Sequence, residues 1–339
     1  MSATPGRYAR QELFLGAEAQ GRLQAATAVV VGCGALGCAA ATILARAGVG
    51  RLRIIDRDYV DLVNLHRQIL FEEDDARAAT PKAVAAAARL QRANSTIIIE
   101  PCVEDFTAGS ALRLCAGADV IVDGLDNFEG RFLLNDLAVK LGVPWIYGAA
   151  VGSYGLAMAV LPGVGPCLRC LQEEEPPPGT APTCDTAGIL ASAALLVASL
   201  EAAEAMKILA GRRDLVPPQL VAVDLWPGTV QAIMVRRNQA CPCCGARRFE
   251  YLEGERGRAA TSLCGRNAVQ IAAPTGGTCD LAAVAAQLQA AGRVTRNEYL
   301  VRAQVEGYEL TVFRDGRAIV TGTTDPVVAR DLYARYVGG

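Results

Sequence analysis

The sequence predicts an α/β fold with a mostly parallel sheet, and three observations support that prediction. Short β-branched apolar segments alternate with helical ones in the first half of the chain, as in a parallel sheet covered by helices. A glycine-rich turn, residues 32–37, separates the first of these strands from the first helix. Beyond Val151 the strands are longer and are joined by glycine-rich turns, which predicts antiparallel additions to the same sheet.

Each predicted element rests on a local pattern. Residues 28–32 read as a buried strand, and the alanine-rich helix that follows is expected to end at Ala47, before Gly48. Proline begins the helix over residues 81–94, where it suits the first turn. Further strands are predicted at residues 51–56, 96–100, 119–123, 144–150, 154–161, 220–225 and 230–235. Further helices are predicted at residues 128–141 and 187–209, and residues 112–117 are predicted to be the end of another helix.

The composition excludes several classes of protein. The chain has 339 residues, of which 52% are hydrophobic and 20% charged, enough for a core and about two domains. A formal net charge of -2 and 5% aromatic residues argue against a nucleic-acid surface. The longest apolar run is too short for a membrane span and the first residues lack a signal-peptide core, so we expect a cytoplasmic protein.

Two domains are predicted from a change of composition after Glu250. Residues 1–252 are expected to form the α/β domain, with an exposed, proline-rich crossing loop at about residues 172–185. A charged linker, 253–258, precedes a small α+β module over 259–339. In this module a hairpin over 309–321 turns at Asp315-Gly316, and a helix spans 326–336.

The glycine turn predicts a phosphate-binding site. Gly32, Gly34 and Gly37 form G-x-G-x-x-G between a strand and a helix, and Asp56 ends the next strand. In such a Rossmann-like unit the glycines let backbone N–H groups approach phosphate, and the carboxylate accepts hydrogen bonds from ribose. The motif alone does not choose between a dinucleotide and ATP, and a plain packing turn is the alternative.

Charged and amide side chains follow several of the predicted strands. They are Asp58, Asn64, Arg67 and Gln68, then Lys82, then Asp126 and Asn127. Because the carboxyl ends of parallel strands share one edge of the sheet, these groups should converge there. Cations beside a carboxylate suit a triphosphate with Mg²⁺, which hydride transfer does not need. The alternative is that Arg67 and Lys82 are solvated surface charges.

The twelve cysteines include two Cys-x-x-Cys pairs, Cys167/Cys170 and Cys241/Cys244. Two such pairs far apart in sequence are typical of a structural zinc site with four thiolates. Cys243 lies inside the second pair and leaves its register ambiguous. A metal-free fold is the alternative.

These motifs together resemble the ThiF/MoeB family, relatives of the ubiquitin-activating enzymes. The resemblance covers about residues 7–250 and is closest to longer ThiF-like members with a C-terminal extension. Matching stretches are Arg7-Tyr8-x-Arg10-Gln11, Gly32-x-Gly34-x-x-Gly37, Asp56-x-Asp58, Asn64-Leu65-x-Arg67-Gln68, Pro81-Lys82, Asp126-Asn127-x-x-x-Arg131, Cys167-x-x-Cys170, Cys184-x-x-Ala187-Gly188 and Cys241-x-x-Cys244. Leu263-Cys264-Gly265-Arg266-Asn267 matches the extended members.

The resemblance implies an enzyme that uses ATP to adenylate the C-terminal glycine of a ubiquitin-like sulfur carrier. By match, Asp56 would hold the ribose and Asp126 the Mg²⁺. Asn64, Arg67 and Lys82 would neutralise phosphate charge, and Arg10 would reach the site of the other subunit in a homodimer. The expected nucleotide-binding set is completed by Gly32, Gly34, Ala35, Gly37, Asp58, Gln68 and Asn127. An ordinary surface arginine is the alternative for Arg10.

Cys184 is the second catalytic candidate, because the matching cysteine of ThiF-like members joins the carrier during sulfur transfer. An inert or dispensable thiol is the alternative. The expected carrier is ThiS-like, for the thiamin thiazole, with a MoaD-like carrier for molybdopterin or another thiolation pathway as runner-up. A cysteine desulfurase or rhodanese is the expected sulfur donor. A nicotinamide dehydrogenase and a non-catalytic nucleotide-binding module are less favoured. The terminal Gly338-Gly339 is expected to be a flexible end, with a built-in carrier as the alternative.

Overall fold

The computed structural model describes residues 6–177, 180–256, 260–263, 267–271 and 279–338. The chain divides into two compact units, one of Met1–Pro182 with Ala187–Arg256 and one of Thr183–Thr186 with Gly257–Gly339. Gly339, Cys264 and most of the predicted 263–267 motif lie outside the described residues. So do residues 178–179 of the predicted crossing loop and 257–258 of the predicted linker.

The first unit is built on an eight-stranded sheet in the order β3-β2-β1-β4-β5-β6-β7-β8. Its strands are β1 Thr27–Val31, β2 Arg51–Ile55, β3 Ile98–Cys102, β4 Val120–Asp123, β5 Trp145–Val151, β6 Tyr154–Val160, β7 Gln219–Asp224 and β8 Thr229–Met234. The strands from β3 to β5 pair in parallel, whereas β6, β7 and β8 are added antiparallel. The predicted α/β fold with antiparallel additions is therefore confirmed.

Helices connect and cover these strands. In the described residues up to 256 they are α1 Ala9–Leu15, α2 Ala17–Ala25, α3 Ala35–Ala47, α4 Glu73–Arg77, α5 Lys82–Ala93, α6 Ala108–Leu114, α7 Phe128–Leu141, α8 Leu168–Leu171 and α10 Ala191–Leu209. The short helix α9, Cys184–Ala187, falls mostly in the second unit. Helix α7 has the predicted bounds, and α3 ends at Gly48 in the left-handed conformation (φ 83°) that a glycine cap favours.

The sheet is buried on both faces because its strands are apolar on both. Along β1, Val30 packs into a core with α3, α5 and α10, while its neighbour Val29 packs into a second core with α6 and α7. Successive side chains of a strand point to opposite faces, so a continuous apolar run needs cover on both. At the carboxyl edge Val31 is in register with Ile55 and with Asp123, which brings the ends of β1, β2 and β4 together.

Two predicted elements are wrong in their bounds. The long helix begins at Ala191 and not at Ala187, because Gly188 is left-handed (φ 73°) and Ile189 pairs with Gly152, the residue after β5. There the Gly152 amide donates to the Gly188 carbonyl and the Leu190 amide donates to the Gly152 carbonyl, both at 2.8 Å.

The other wrong element is the strand predicted at residues 96–100, which lies two residues later, at Ile98–Cys102, and contains Pro101. Proline is tolerated there because β3 is at the edge of the sheet. Helices α1, α2 and α4 were not predicted by the sequence patterns.

From residue 260 onward, the described part of the second unit is an antiparallel sheet with two helices. Its strand order is β11-β12-β13-β14-β10-β9. The elements are β9 Ala260–Leu263, β10 Ala268–Ile271, α11 Leu281–Gln289, β11 Val294–Arg296, β12 Leu300–Val305, β13 Tyr308–Phe313, β14 Ala318–Thr321 and α12 Pro326–Tyr336. The predicted hairpin is confirmed as β13 and β14, and α12 has the predicted bounds.

None of the helices in the described part of the chain combines the length and apolar character that crossing a membrane requires.

Candidate active site and metal centre

The glycine turn brings two backbone segments into direct contact. Gly32, at φ 89°, lies against Gly124: a Cβ on Gly32 would be 2.4 Å from the Gly124 carbonyl oxygen, and one on Gly124 would be 2.1 Å from the Gly32 carbonyl oxygen. Gly37 is equally constrained, since its Cβ would be 1.9 Å from the same Gly32 oxygen. The turn after β1 therefore packs on the turn after β4, a contact that the sequence motif alone did not reveal.

Helix α3 begins directly at this turn. Gly34 precedes its first residue, Ala35, and no side chain caps the first turn. The first backbone N–H groups of a helix have no partner within the helix, and together with the helix dipole they favour an anion. The N-terminus of α3 is therefore suited to binding phosphate.

Asp56 is held by backbone donors at the end of β2. Its Oδ2 accepts from the Cys33 amide at 2.6 Å and its Oδ1 from the Asp58 amide at 2.7 Å. Burial raises the pKa of Asp56, and the Lys82 ammonium acts against that shift. The carboxylate is thus oriented beside the glycine turn, where a ribose hydroxyl can donate to it.

Lys82 places a positive charge under the same strand ends. It is the first residue of α5, it is 3% exposed, and its Nζ lies 3.1 Å from Asp58 Oδ2. The Lys82 amide also donates to the Asp58 carbonyl oxygen at 2.9 Å. Asp56, Asp58 and Lys82 therefore form one connected cluster next to the glycine turn.

Asn64, Arg67 and Gln68 form a second polar group on the segment that follows Asp58. Arg67 Nη2 donates to Asn64 Oδ1 at 2.8 Å. Asn64 Nδ2 and Gln68 Oε1 are buried and have no hydrogen-bond partner in the described protein. A buried donor and acceptor without partners are costly unless a ligand or water satisfies them, so both groups fit a polar ligand.

Asp126 and Asn127 follow β4. Asp126 is exposed, and Asn127 Nδ2 donates to Asp126 Oδ1 at 3.2 Å. Asn127 also caps α7, since its Oδ1 accepts from the Gly130 amide at 2.8 Å. An exposed carboxylate is a suitable Mg²⁺ ligand. The structure thus gives Asn127 a capping contact that the sequence analysis did not anticipate.

A buried ion pair supports this turn. Arg131 Nε donates to Asp123 Oδ2 at 3.0 Å, and its Nη2 donates to the carbonyl oxygens of Leu125 at 2.7 Å and Gly148 at 2.9 Å. Asp123 Oδ1 accepts from the Leu125 amide at 2.8 Å. The Asp123–Arg131 pair therefore binds both the amide and the carbonyl oxygen of Leu125, the residue before Asp126. The sequence marks Arg131 only as part of a motif and indicates no role for Asp123.

Arg10 does not belong to this cluster within its own chain. The Tyr8 ring packs on Gly48, at the end of α3 remote from the glycine turn. A helix of 13 residues is about 20 Å long, so Arg10, two residues beyond Tyr8, lies near the opposite edge of the sheet. Cys184 begins the short helix α9, whereas the sequence predicted it just before a long helix.

The two Cys-x-x-Cys pairs come together in space. The Sγ atoms of Cys167 and Cys241 are 3.6 Å apart, those of Cys170 and Cys244 are 3.4 Å apart, and all four lie within 4.8 Å of one another. Among the described residues this is the group identified as able to hold a metal ion. Four thiolates at such distances fit a tetrahedral soft cation.

Cys243 lies beside the metal-binding group and is not part of it. Asn135 Nδ2 donates to Cys243 Sγ at 3.2 Å, while Asn135 Oδ1 accepts from the Leu168 amide at 2.9 Å. A hydrogen bond from Cys170 lowers the pKa of Cys167 to about 6, whereas a hydrogen bond to Cys167, together with burial, raises the pKa of Cys243. The geometry thereby removes the ambiguity of register and selects Cys241 and Cys244.

Comparison with known proteins identifies the family. The model of the ThiF family matches residues 8–243. The chain belongs to the ThiF family. This ThiF-family chain is 45% identical over 338 residues to a protein of Bacillus subtilis (strain 168) named sulfur carrier protein ThiS adenylyltransferase, covering 98% of this chain and 99% of the relative. It is 40% identical over 246 residues to the sulfur carrier protein adenylyltransferase of Thermus thermophilus, covering 70% and 90% of the two chains.

Solved structures share the fold of most of this chain. The crystal structure of E. coli MccB with AMPCPP and MccA has a TM-score of 0.63 and 23% identity, and the match covers 71% of this chain and 74% of that one. At this identity the likeness establishes the fold and nothing more. The similarity to the Bacillus relative, by contrast, extends through the second unit.

Proposed function

We propose that this enzyme adenylates the C-terminal glycine of a ubiquitin-like sulfur carrier, with a ThiS-like protein as the carrier. The observation that carries the proposal is the meeting of the glycine turn, Asp56 and Lys82 at one edge of the sheet in a ThiF-family chain. The relatives named as carrier adenylyltransferases support the same reaction. A MoaD-like carrier is the alternative substrate.

In the proposed reaction the carrier's terminal carboxylate attacks the α-phosphorus of ATP, forming a carrier–AMP anhydride and releasing pyrophosphate. Asp56 would orient the ribose, while the N-terminus of α3 receives phosphate oxygens. Lys82 and Arg67 would offset the negative charge that the two anionic reactants bring together. Asp126 would hold Mg²⁺, which supplies further charge neutralisation when bound.

We assign zinc to the four-cysteine group. Four thiolate ligands leave no open coordination position, so its role would be structural. It would join the segment after β6, which carries Cys167 and Cys170, to the segment after β8, which carries Cys241 and Cys244. Reduced thiols suit a reducing compartment, and the cytoplasm is therefore the proposed location.

A homodimer is part of the proposal because Arg10 lies far from its own glycine turn. The same helix α1 exposes Leu13 and Phe14, each 88% accessible, three and four residues beyond Arg10. Residues at that spacing share a helix face, and large exposed apolar side chains favour a protein interface. A second copy packed on this face would place Arg10 beside the neighbouring chain.

The test is pyrophosphate–ATP exchange that depends on added carrier. Lys82→Met should lower the exchange rate by about 10²–10³-fold, as when a charged transition-state contact is removed. Lys140→Met is the matched control, because Lys140 is 39% exposed and pairs with Glu253 at the surface. Near wild-type exchange in Lys82→Met would remove the site assignment. Comparing ThiS-like and MoaD-like carriers in this assay identifies the substrate.

A separate role is proposed for Cys184, namely covalent attachment to the carrier during sulfur transfer from a cysteine desulfurase or rhodanese. Cys184→Ser should retain the exchange activity and lose any thioester or mixed disulfide with the carrier, measured by intact mass. Cys102→Ser, which changes another partly accessible thiol, is the control. A covalent adduct that persists in Cys184→Ser would contradict this role.

A further inference from the structure

Arg57 stands where the nucleobase of the bound nucleotide has to lie. The position of the nucleobase follows from the proposed ATP site and from the order of the strands, β3-β2-β1. Phosphate binds at the turn after β1, and Asp56 at the end of β2 orients the ribose. The base is attached to the far side of the ribose from the phosphates, so it lies over the ends of β2 and β3.

The structure anchors Arg57 at those two strand ends. The Asp56 amide donates to the Cys102 carbonyl oxygen at 3.0 Å, so the pairing of β2 with β3 continues up to the residue before Arg57. Arg57 Nη1 then donates to both carboxylate oxygens of Asp105, at 3.1 and 3.0 Å, and Asp105 follows β3. The guanidinium thus bridges the segments that leave β2 and β3.

The Arg57 guanidinium lies on the β3 side of Asp56, because it pairs with Asp105. Its neighbours Asp56 and Asp58 instead contact the Cys33 amide and Lys82. Burial disfavours the charged form of Arg57, but Asp105, Asp58 and Asp126 together raise its pKa, so the side chain stays charged beside the site.

The chemistry of this position favours stacking. A guanidinium is planar and delocalised, and it stacks on aromatic rings in a way that an ammonium cannot. The ion pair with Asp105 restrains its orientation, and the side chain of Arg57 is 22% exposed, which leaves part of its surface accessible. Stacking on a guanidinium is stronger for a purine than for the smaller ring of a pyrimidine.

We propose that Arg57, oriented by Asp105, stacks on the nucleobase and gives the enzyme its preference for a purine nucleotide. Arg57 is then a binding and specificity residue, and Asp105 is its positioning residue.

The test measures direct binding of ATP and of CTP to the full-length, zinc-loaded protein without carrier. Arg57→Ala should weaken ATP binding by roughly tenfold and CTP binding by less than about threefold, so that the preference for ATP falls. Arg57→Lys keeps the charge and loses the planar group, so it should show the same loss of preference. The preference of Asp105→Asn for ATP over CTP should lie between those of the wild type and of Arg57→Ala.

Arg113→Gln is the matched control, because Arg113 pairs with Glu104, the neighbour of Asp105, on the surface. Its base preference should equal that of the wild type. Melting temperatures confirm that each variant is folded. A wild-type preference in Arg57→Lys, or equal weakening of ATP and CTP in Arg57→Ala, would overturn the stacking assignment. ATP binding by a wild-type protein that shows no carrier-dependent exchange would overturn the proposed function and leave this inference intact.

Discussion

Glu201 is a buried carboxyl whose replacement should change how folding stability depends on pH. It lies on α10 with no exposed surface, and neither of its oxygens has a hydrogen-bond partner in the described protein. Its carboxyl rests on β5, where a Cβ on Gly148 would be 2.3 Å from Glu201 Oε1. Burial raises the pKa of Glu201 well above its usual value, Asp123 raises it further, and Arg131 acts against them.

The sign of the effect follows from proton linkage. Because the folded chain holds this proton more tightly, the unfolded chain ionises first, at a pKa of about 4.3. The stabilisation is complete below that pH and is lost as the pH rises toward the folded pKa. Within this window each pH unit lowers the stability by about 1.4 kcal/mol. Glu201→Gln lacks this titrating group. Its free energy of unfolding, measured relative to the wild type, should therefore increase by about 1.4 kcal/mol for each pH unit in this window.

Urea denaturation of both proteins at about pH 5, 6 and 7 measures the difference, in which the titrating groups that do not interact with Glu201 cancel. Glu18→Gln, on the surface and paired with Arg22, is the control that should show no such trend. The reasoning is refuted if the stability difference between Glu201→Gln and wild type is the same at all three pH values.

Three further predictions concern the supports of the site. Arg131→Met should lower the free energy of unfolding by about 3–5 kcal/mol, because it leaves the buried Asp123 carboxylate unpaired. In a double-mutant cycle, adding Asp123→Asn should restore part of the lost free energy of unfolding. Gly124→Ala should weaken ATP binding at least about tenfold in calorimetry, since its Cβ would lie 2.1 Å from the facing carbonyl oxygen and displace the glycine turn. Cys241→Ser should lose bound zinc, measured by elemental analysis, whereas Cys243→Ser should keep it; the reverse result would reassign the ligands.

Local sequence patterns predicted the elements whose bounds depend on neighbouring residues. The bounds of α7 and α12 follow from their capping residues, Asn127 and Asp325, which lie next to the helices they start. Parallel-sheet strands such as β1 are visible as continuous apolar runs, because both faces are buried. The spacing of the cysteines indicated the two pairs that could hold a metal ion, because the two residues of each pair are close in sequence.

Patterns failed where a distant segment decided the structure. The start of α10 is delayed by the pairing of Ile189 with Gly152, and β3 tolerates Pro101 because no strand lies beyond it. Neither fact can be read from a window of neighbouring residues. The choice of Cys244 over Cys243 likewise depends on where Asn135 and Cys167 lie.

The sequence by itself determined the class of fold, the glycine turn with Asp56 and the presence of two Cys-x-x-Cys pairs, because each depends on residue types at short, regular spacing. Only the tertiary structure decided that Gly32 rests on Gly124, that Lys82 pairs with Asp58, and that Arg131 joins the end of β4 to β5. These contacts link segments far apart in the chain, and they arise when burying both faces of the sheet brings the strand ends to one edge.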